Sequence, residues 1–533
     1  MTDPNAAELE LKLRLSRQSI RALRLHPALL AVVKGRVGME RLAATYFDTD
    51  DRRLSAAGIG LRLRRNGRQW VMTVKGPADA RSGGGLTARP EYEWPIGTTV
   101  RMPALDFTRL VTTPWRSKLA KASRRGLVPV FTTAVSRTTL PLTFEDGTTA
   151  SFAIDVGEIR DAMRGETGGP LRRTPISEIE IELGAGSVSP LFALARSLAA
   201  DLPVMLEPDS KAARGYALVD ALRRVPQRAE NVELGAKEST EDALRGIVRA
   251  CLRQVEGNAD GLIAHDDAEW IHQMRIGTRR LRACLSLMRD VAPETTLAAL
   301  ADEAGWLADA LGSARDLDVM AHETLVALGE GLRGMGDPTG TPALRSLRAR
   351  VARRRKLARA AAREAVASAR FVRFVLATGE FAATPRFGST DEHAIAGLAQ
   401  PAQKFASPLL AKRHHKLVKR AVDLPRATPE AQHAARIAAK KVRYATEFFA
   451  PLYPRKRARA FRTALADLQD LLGALNDARV GLALTKELAG PSSAATATMQ
   501  GFAAATRAQR AEALADAWDK FVRCRPFWGT HDA

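Results

Sequence analysis

Cysteine is scarce: the 533 residues contain three, Cys251, Cys284 and Cys524. Their wide separation excludes a disulfide framework and a zinc knuckle, both of which need clustered thiols. Aromatic residues make up only 5% of the chain. A binder of single-stranded nucleic acid needs rings on which bases can stack, so nucleic acid is disfavoured as a partner. No run of about 18 apolar residues occurs, and no membrane span or membrane partner is expected. The opening "MTDPNAAELE" is acidic and has no apolar core of the signal-peptide kind. Together these absences predict a cytoplasmic protein, and they leave the oligomeric state open.

What the chain has in excess is positive charge. It carries 81 Lys and Arg against 59 Asp and Glu, a formal net charge of +22. Residues 1–230 hold 35 bases and 25 acids, and residues 231–533 hold 46 and 34, so the excess is no terminal tail. A field of this sign favours polyanions, phosphate chains among them. With 46% hydrophobic and 26% charged residues the composition is that of a folded protein, and the length calls for more than one domain.

Up to about residue 220, short alternating runs dominate. "YFDT" (46–49), "GLRLRR" (60–65), "WVMTVK" (70–75), "EYEW" (91–94), "SFAIDVGEI" (151–159) and "ISEIEIEL" (176–183) read as strands between turns. Helical stretches near 16–31, 115–125 and 189–200 interrupt them. The polar segment 222–236 reads as a linker. From 237 to 530 Ala, Leu and Arg dominate at helical period, with breaks at 329–342, 382–392 and 423–430. The expectation is an α+β domain over 1–221 followed by an all-α domain.

The helical half contains a repeat. "IHQMRIGTRRLRACL" from Ile271 matches "QHAARIAAKKVRYAT" from Gln432, aligning His272 with His433, Arg275 with Arg436, Arg279 with Lys440, Arg280 with Lys441 and Arg282 with Arg443. "LGSARDLDV" (311–319) matches "LGALNDARV" (472–480) at the same offset of 161 residues, placing Asp316 against Asp477. At about 100° per residue, Arg275, Arg279 and Arg282 fall in a narrow arc beside His272, opposite Met274, Leu281, Cys284 and Met288. One such stripe is ordinarily a solvated helix face. Two copies at one offset argue for an anion site, because guanidinium and ammonium groups along a helix can meet successive phosphates. A third basic run, "AKRHHKLVKR" (411–420), adds Lys412, Arg413, Lys416 and Lys419. Asp316 and Asp477 are expected to orient arginines.

These motifs resemble the CHAD domain family over roughly residues 237–530. The resemblance implies an all-helical fold of two pseudo-symmetric four-helix halves and a basic surface that binds inorganic polyphosphate, with association with polyphosphate granules. The positions such binding would use are those of the basic stripes and the third basic run: His272, Arg275, Arg279, Arg280, Arg282, Lys412, Arg413, Lys416, His433, Arg436, Lys440, Lys441 and Arg443.

In the first half, strands alternate charge with apolar residues: Glu8, Glu10 and Lys12 in "ELELKLRL", Arg62 and Arg64, Arg89 with Glu91 and Glu93, and Glu178, Glu180 and Glu182. A one-sided antiparallel sheet with its charges outward would look the same strand by strand. Both signs on one inner wall would instead suit metal-assisted phosphoryl transfer: bases bind phosphate oxygens and hard carboxylates hold a divalent cation. "ELELK" (8–12), with "LRLRR" (61–65), "TVKGP" (73–77), "ARPEYE" (88–93), "SRTTL" (136–140), "AIDVGEI" (153–159), "SEIEIEL" (177–183) and "SKAARGY" (210–216), resembles in order the CYTH superfamily, the triphosphate tunnel metalloenzymes. That resemblance implies a closed eight-stranded antiparallel β-tunnel. It also implies a metal-dependent (Mg2+ or Mn2+) inorganic triphosphatase acting on tripolyphosphate. Thiamine triphosphatase, class IV adenylate cyclase and a non-catalytic scaffold are the alternatives. Carried over, Glu8, Glu10 and Lys12 are catalytic. Lys12, Arg62, Arg64, Lys75, Arg89, Arg137 and Lys211 bind phosphate. Glu8, Glu10, Asp155 and two of Glu178, Glu180 and Glu182 bind metal.

Overall fold

The charged strands close on themselves. The computed structural model describes residues 7–79, 81–110, 112–161, 172–235, 237–334 and 342–529. Among these, nine strands form one antiparallel sheet: β1 (Ala7–Arg14), β2 (Gly38–Asp48), β3 (Gly60–Asn66), β4 (Gln69–Lys75), β5 (Leu86–Gly97), β6 (Val128–Thr143), β7 (Thr149–Asp161), β8 (Arg173–Ala185) and the short β9 (Met205–Leu206). Their order is β5-β4-β3-β2-β6-β7-β8-β1-β9, and β1 also pairs with β5, which closes the first eight into a barrel. One strand serves both neighbours: Ala7–Leu11 pairs with β5, and Glu10–Arg14 with β8. Closure removes the long free edges that an open sheet would expose.

Period-two alternation then decides which face is inside. Leu61, Leu63, Met72 and Val74 are fully buried on the outer face, packed with Leu119 and Ala122 of helix α1 (Arg116–Arg125). Leu11, Leu13, Ile179 and Ile181 are equally buried on that face. Helix α2 (Ser189–Asp201) packs on β1 from outside, whereas helix α3 (Lys211–Val219) lies on the lumenal side, where its Tyr216 packs edge-on against Phe131 of β6, the partner of Tyr46 on the face that carries Arg62. The apolar sides are thus covered by helices, and the charged sides line the lumen. Strands β2 and β6 run to 11 and 16 residues, much longer than "YFDT" and "SRTTL".

The chain divides into two units, Met1–Val225 with Ala367–Thr384, and Pro226–Val366 with Pro385–Ala533. The second is helical. It contains α4 (Thr240–Glu256), α5 (Ala268–Leu287), α6 (Glu294–Val319) and α7 (Pro342–Val366). After α8 (Ala369–Ala383), which belongs to the first unit, come α9 (Ala402–Arg420), α10 (Pro429–Phe449), α11 (Arg455–Ala489) and α12 (Ala494–Arg523). The starts of α5 and α10, and of α6 and α11, keep the 161-residue offset of the repeat. Capping sets the starts of α5 and α10: Asp267 accepts from the Glu269 N–H, and Thr428 from the Ala431 N–H. Helix α5 packs against α4, α6 and α10. Part of the expected break at 329–342 lies outside the described residues. No helix among the described residues is long and apolar enough to cross a membrane.

Candidate functional site

The strand registers place the charged residues of the first unit on one lumenal face. Glu8 stands opposite Arg89, Glu10 opposite Glu182, Lys12 opposite Glu180, and Lys75 opposite Glu91. Arg137 stands opposite Asp155, and Asp155 opposite Glu178. The side chains then sort into two groups along the wall.

In the first group, bases and acids are closely matched. Arg137 donates through Nε and Nη2 to the two oxygens of Asp155, each at 2.7 Å, and reaches Glu180 at 2.5 Å. Lys211, at the first position of α3, meets Asp155 at 2.7 Å, Glu180 at 2.9 Å and also Glu178. Lys12 lies 3.1 Å from Glu10 and 3.2 Å from Glu180. Burial pulls Lys211 and Lys12 toward the neutral amine, but the surrounding carboxylates win and raise both pKa values. Burial works to raise Asp155 and Glu180, and the same cations hold both below the usual carboxylate range.

The second group, along β1 toward its start, has acid to spare. Lys75 bridges Glu8 at 2.8 Å and Glu91 at 2.5 Å. Arg62 reaches Glu91 at 3.2 Å, while Arg64 reaches Glu93 at 3.0 Å. Thr73 also donates to Glu93, at 2.9 Å. Glu8 is pushed up to about 9, by burial first and then, against Lys75, by Glu91 and Glu10. Glu182 is raised too, again chiefly by burial. The Nε atoms of Arg62, Arg64 and Arg89 are buried and find no hydrogen-bond partner among the described residues. Buried donors left this way are costly unless a ligand satisfies them.

Spacing alone favours Asp155, Glu178 and Glu180 as a metal site, since their oxygens lie within 4.8 Å of one another. Their charge is already matched by Arg137, Lys211, Arg214 and Lys12. Glu178 is wholly buried and held by Lys211 and Arg214. Glu8 and Glu10 each share one lysine with a second acid, Lys75 with Glu91 and Lys12 with Glu180, and Glu182 stands opposite Glu10; such a crowd of hard oxygen donors fits a divalent cation. Sequence reasoning passed over Arg214, although it follows Lys211 by one helical turn inside the quoted "SKAARGY".

In the helical unit the two basic stripes face each other. Arg436 and Lys440 of α10 both feel the charge of Arg275 and Arg279 on α5. Asp316 touches Arg275 only at 3.5 Å, and Asp477 is the acid that acts most strongly on Arg436. Lys440 is pushed down to about 6, by burial and then by Arg279, Arg436 and Arg275. The Nε of Arg436 is buried without a partner among the described residues. His433 shares a 3.0 Å hydrogen bond with Asn476, and His272 lies beside Arg315; neither Asn476 nor Arg315 was singled out from sequence. Lys441 belongs to a separate group with Arg413, Lys416 and Arg289. Arg282 and Lys412 are exposed, and Arg443 donates to Gln469 at 3.2 Å.

Arg280 departs from the sequence expectation. It is 1% exposed, pairs with Glu447 at 2.9 Å, donates to Gln254 at 3.0 Å and stacks its guanidinium on Phe448. On the helical wheel it falls between the basic stripe and the apolar face, and the core takes it. No phosphate chain can reach it there.

Comparison with known proteins adds three findings. The CYTH domain family matches residues 6–216, and the CHAD domain family residues 246–486. An inorganic triphosphatase of Haemophilus influenzae is 31% identical over 183 residues, 33% of this chain and 46% of that protein, so the match spans about half the relative's length. Among solved structures, the CHAD domain from the plant Ricinus communis is 33% identical, covering 57% of this chain and 98% of its own, with a TM-score of 0.48. PptA from Streptomyces chartreusis is 19% identical, covering 54% and 99%, with a TM-score of 0.35.

Proposed function

The chain contains a CYTH domain homologous to an inorganic triphosphatase together with a CHAD domain, and from that premise we propose that its barrel hydrolyses tripolyphosphate while its helical unit binds inorganic polyphosphate. The observation that supports the reading is the set of buried arginine Nε donors without a hydrogen-bond partner among the described residues, Arg62, Arg64 and Arg89, on a lumenal wall that also holds crowded carboxylates. A linear triphosphate supplies the missing acceptors.

In this reading Arg62, Arg64, Arg89, Lys75, Lys12, Arg137 and Lys211 bind and orient the phosphate oxygens. Their fixed positive charge stabilises the oxygens on which charge is spread as the terminal P–O bond breaks. Glu8, Glu10 and Glu182 would hold the divalent cation, Mg2+ or Mn2+, which supplies charge neutralisation at the phosphates and a polarised water. Asp155 and Glu178 keep Arg137, Lys211 and Arg214 in place. Bidentate and crowded ion pairs fix the long side chains before substrate arrives, so less ordering is left for the reaction itself. In the helical unit, Arg275, Arg279, Arg436 and Lys440 form the central contact for a phosphate chain, with Lys441, Arg413 and Lys416 as a further contact. Localisation to the cytoplasm and to polyphosphate granules follows from the same reading.

The test is a substrate panel on the purified full chain. Phosphate release from tripolyphosphate, ATP and thiamine triphosphate is measured with Mg2+ and with Mn2+. Tripolyphosphate should turn over fastest. A preference for either other substrate reassigns the activity within the superfamily, and no hydrolysis of any of them leaves a binding scaffold.

A further inference from the structure

The chain leaves the helical unit after Val366, contributes Ala367–Thr384 to the barrel's unit, and returns at Pro385. The inserted helix α8 packs on α2 and reaches β9. Phe371, Val372, Val375 and Leu376 of α8 are fully buried. Glu380 pairs with Arg196 of α2. The tightest approach is at Gly379, where a Cβ would stand 2.5 Å from the carbonyl oxygen of Gly84 and 2.9 Å from its Cα. Only glycine fits this crossing.

Gly84 is the centre of a turn, Gly83–Gly84–Gly85, whose φ angles of +134°, +73° and +83° exclude side-chain-bearing residues without strain. That turn launches β5. The Gly83 N–H donates to the Leu86 carbonyl at 2.8 Å, and the Gly85 carbonyl accepts from the Lys12 N–H at 3.4 Å. Leu376 of α8, Leu206 of β9 and Leu11 of β1 crowd the Cβ position of Gly85. The turn therefore sits between α8 and the β1–β5 seam that closes the barrel. Because side chains alternate faces, a one-residue slip at this seam would carry Glu8 and Glu10 out of the lumen. The return from α8 is also fixed. Arg386 and Phe387 hold φ of +55° and +53°, the Arg386 N–H donates to Glu241 at 2.6 Å, and Arg245 stacks over the Phe387 ring.

We infer that α8, supplied from between the two halves of the helical unit, is a positioning element of the barrel. It clamps the Gly83–Gly85 turn and so sets the β1–β5 register that presents Glu8, Glu10 and Lys12 to the lumen. The inference deepens the triphosphatase reading and rests on it for its activity readout alone.

The test uses the full chain carrying Gly379→Val. Amide hydrogen exchange should quicken about tenfold or more in Leu9–Lys12 and Leu86–Arg89 while the remaining strands keep their protection. Turnover of tripolyphosphate should fall through kcat more than through KM. Arg196→Glu and Glu380→Arg should each quicken exchange at the same seam, and the double variant should restore protection. This series decides the matter if Gly379→Val does not fold. Wild-type exchange at the seam in Gly379→Val, or in both single charge variants, overturns the inference. Quickened exchange at the seam in a protein whose wild type hydrolyses nothing upholds the role of α8 and sinks the triphosphatase reading instead.

Discussion

Lys211 in the barrel and Lys440 in the helical unit are both partly buried lysines, and loss of solvent draws both toward the neutral amine. Around Lys211 the carboxylates of Glu180, Glu178 and Asp155 overrule burial and keep the ammonium. Around Lys440 the neighbours are Arg279, Arg436 and Arg275, which add to burial and push it down to about 6. The barrel stores its cations already paired with acids. The helical cluster stores them against one another. An anion entering the barrel must displace carboxylates, which then become available to a divalent cation. An anion entering the helical cluster only relieves repulsion. The first arrangement suits exchange and turnover, the second retention.

Breaking the barrel side of this contrast should have the largest effect. Glu10→Gln keeps shape and removes one lumenal charge. It should lower kcat for tripolyphosphate about 100- to 1000-fold, with the circular dichroism spectrum unchanged. On the helical side, Arg279→Glu combined with Lys440→Glu replaces two mutually repelling cations by acids. Polyphosphate affinity, read by fluorescence anisotropy, should fall about 100-fold, close to 2.7 kcal/mol. Normal binding by that variant would remove the facing stripes from the site.

Arg280→Ala separates the structural arginine from the binding ones. It strands Gln254 and Glu447, so urea unfolding should show a loss of about 3 kcal/mol, the low end for a broken buried pair because Glu447 is partly exposed. Polyphosphate affinity of the folded protein should stay unchanged. The smallest effect is on pH dependence. Free Lys440 is neutral above about pH 6, and a bound anion raises its pKa, so binding takes up a proton. Affinity should climb as pH falls from about 8 toward 6, by no more than about tenfold per pH unit, and level off below. Lys440→Gln should flatten that slope relative to wild type.

Much of this was legible in local pattern. Charge alternating with leucine or isoleucine identified β1, β3 and β8, and their shared order located the lumenal residues. The paired "IHQMRIGTRR" and "QHAARIAAKK" located α5 and α10. What escaped was set by distant partners. Arg280 looks like its neighbours along the helix and is buried only because Gln254 and Glu447 converge on it. The choice among Glu178, Glu180 and Glu182 depends on Lys211 and Arg214 capturing the first of them. Helix α8 has the apolar period of any core helix, and nothing in "ARFVRFVLATGEFAA" says which unit its apolar face will cover.

Orthophosphate release from tripolyphosphate by the full chain, followed with Mg2+, then with excess EDTA, then with Mg2+ restored, tests the central claim most directly. Hydrolysis is expected in the first and third conditions and none in the second. Equal release in EDTA, or no release with either Mg2+ or Mn2+, would contradict it.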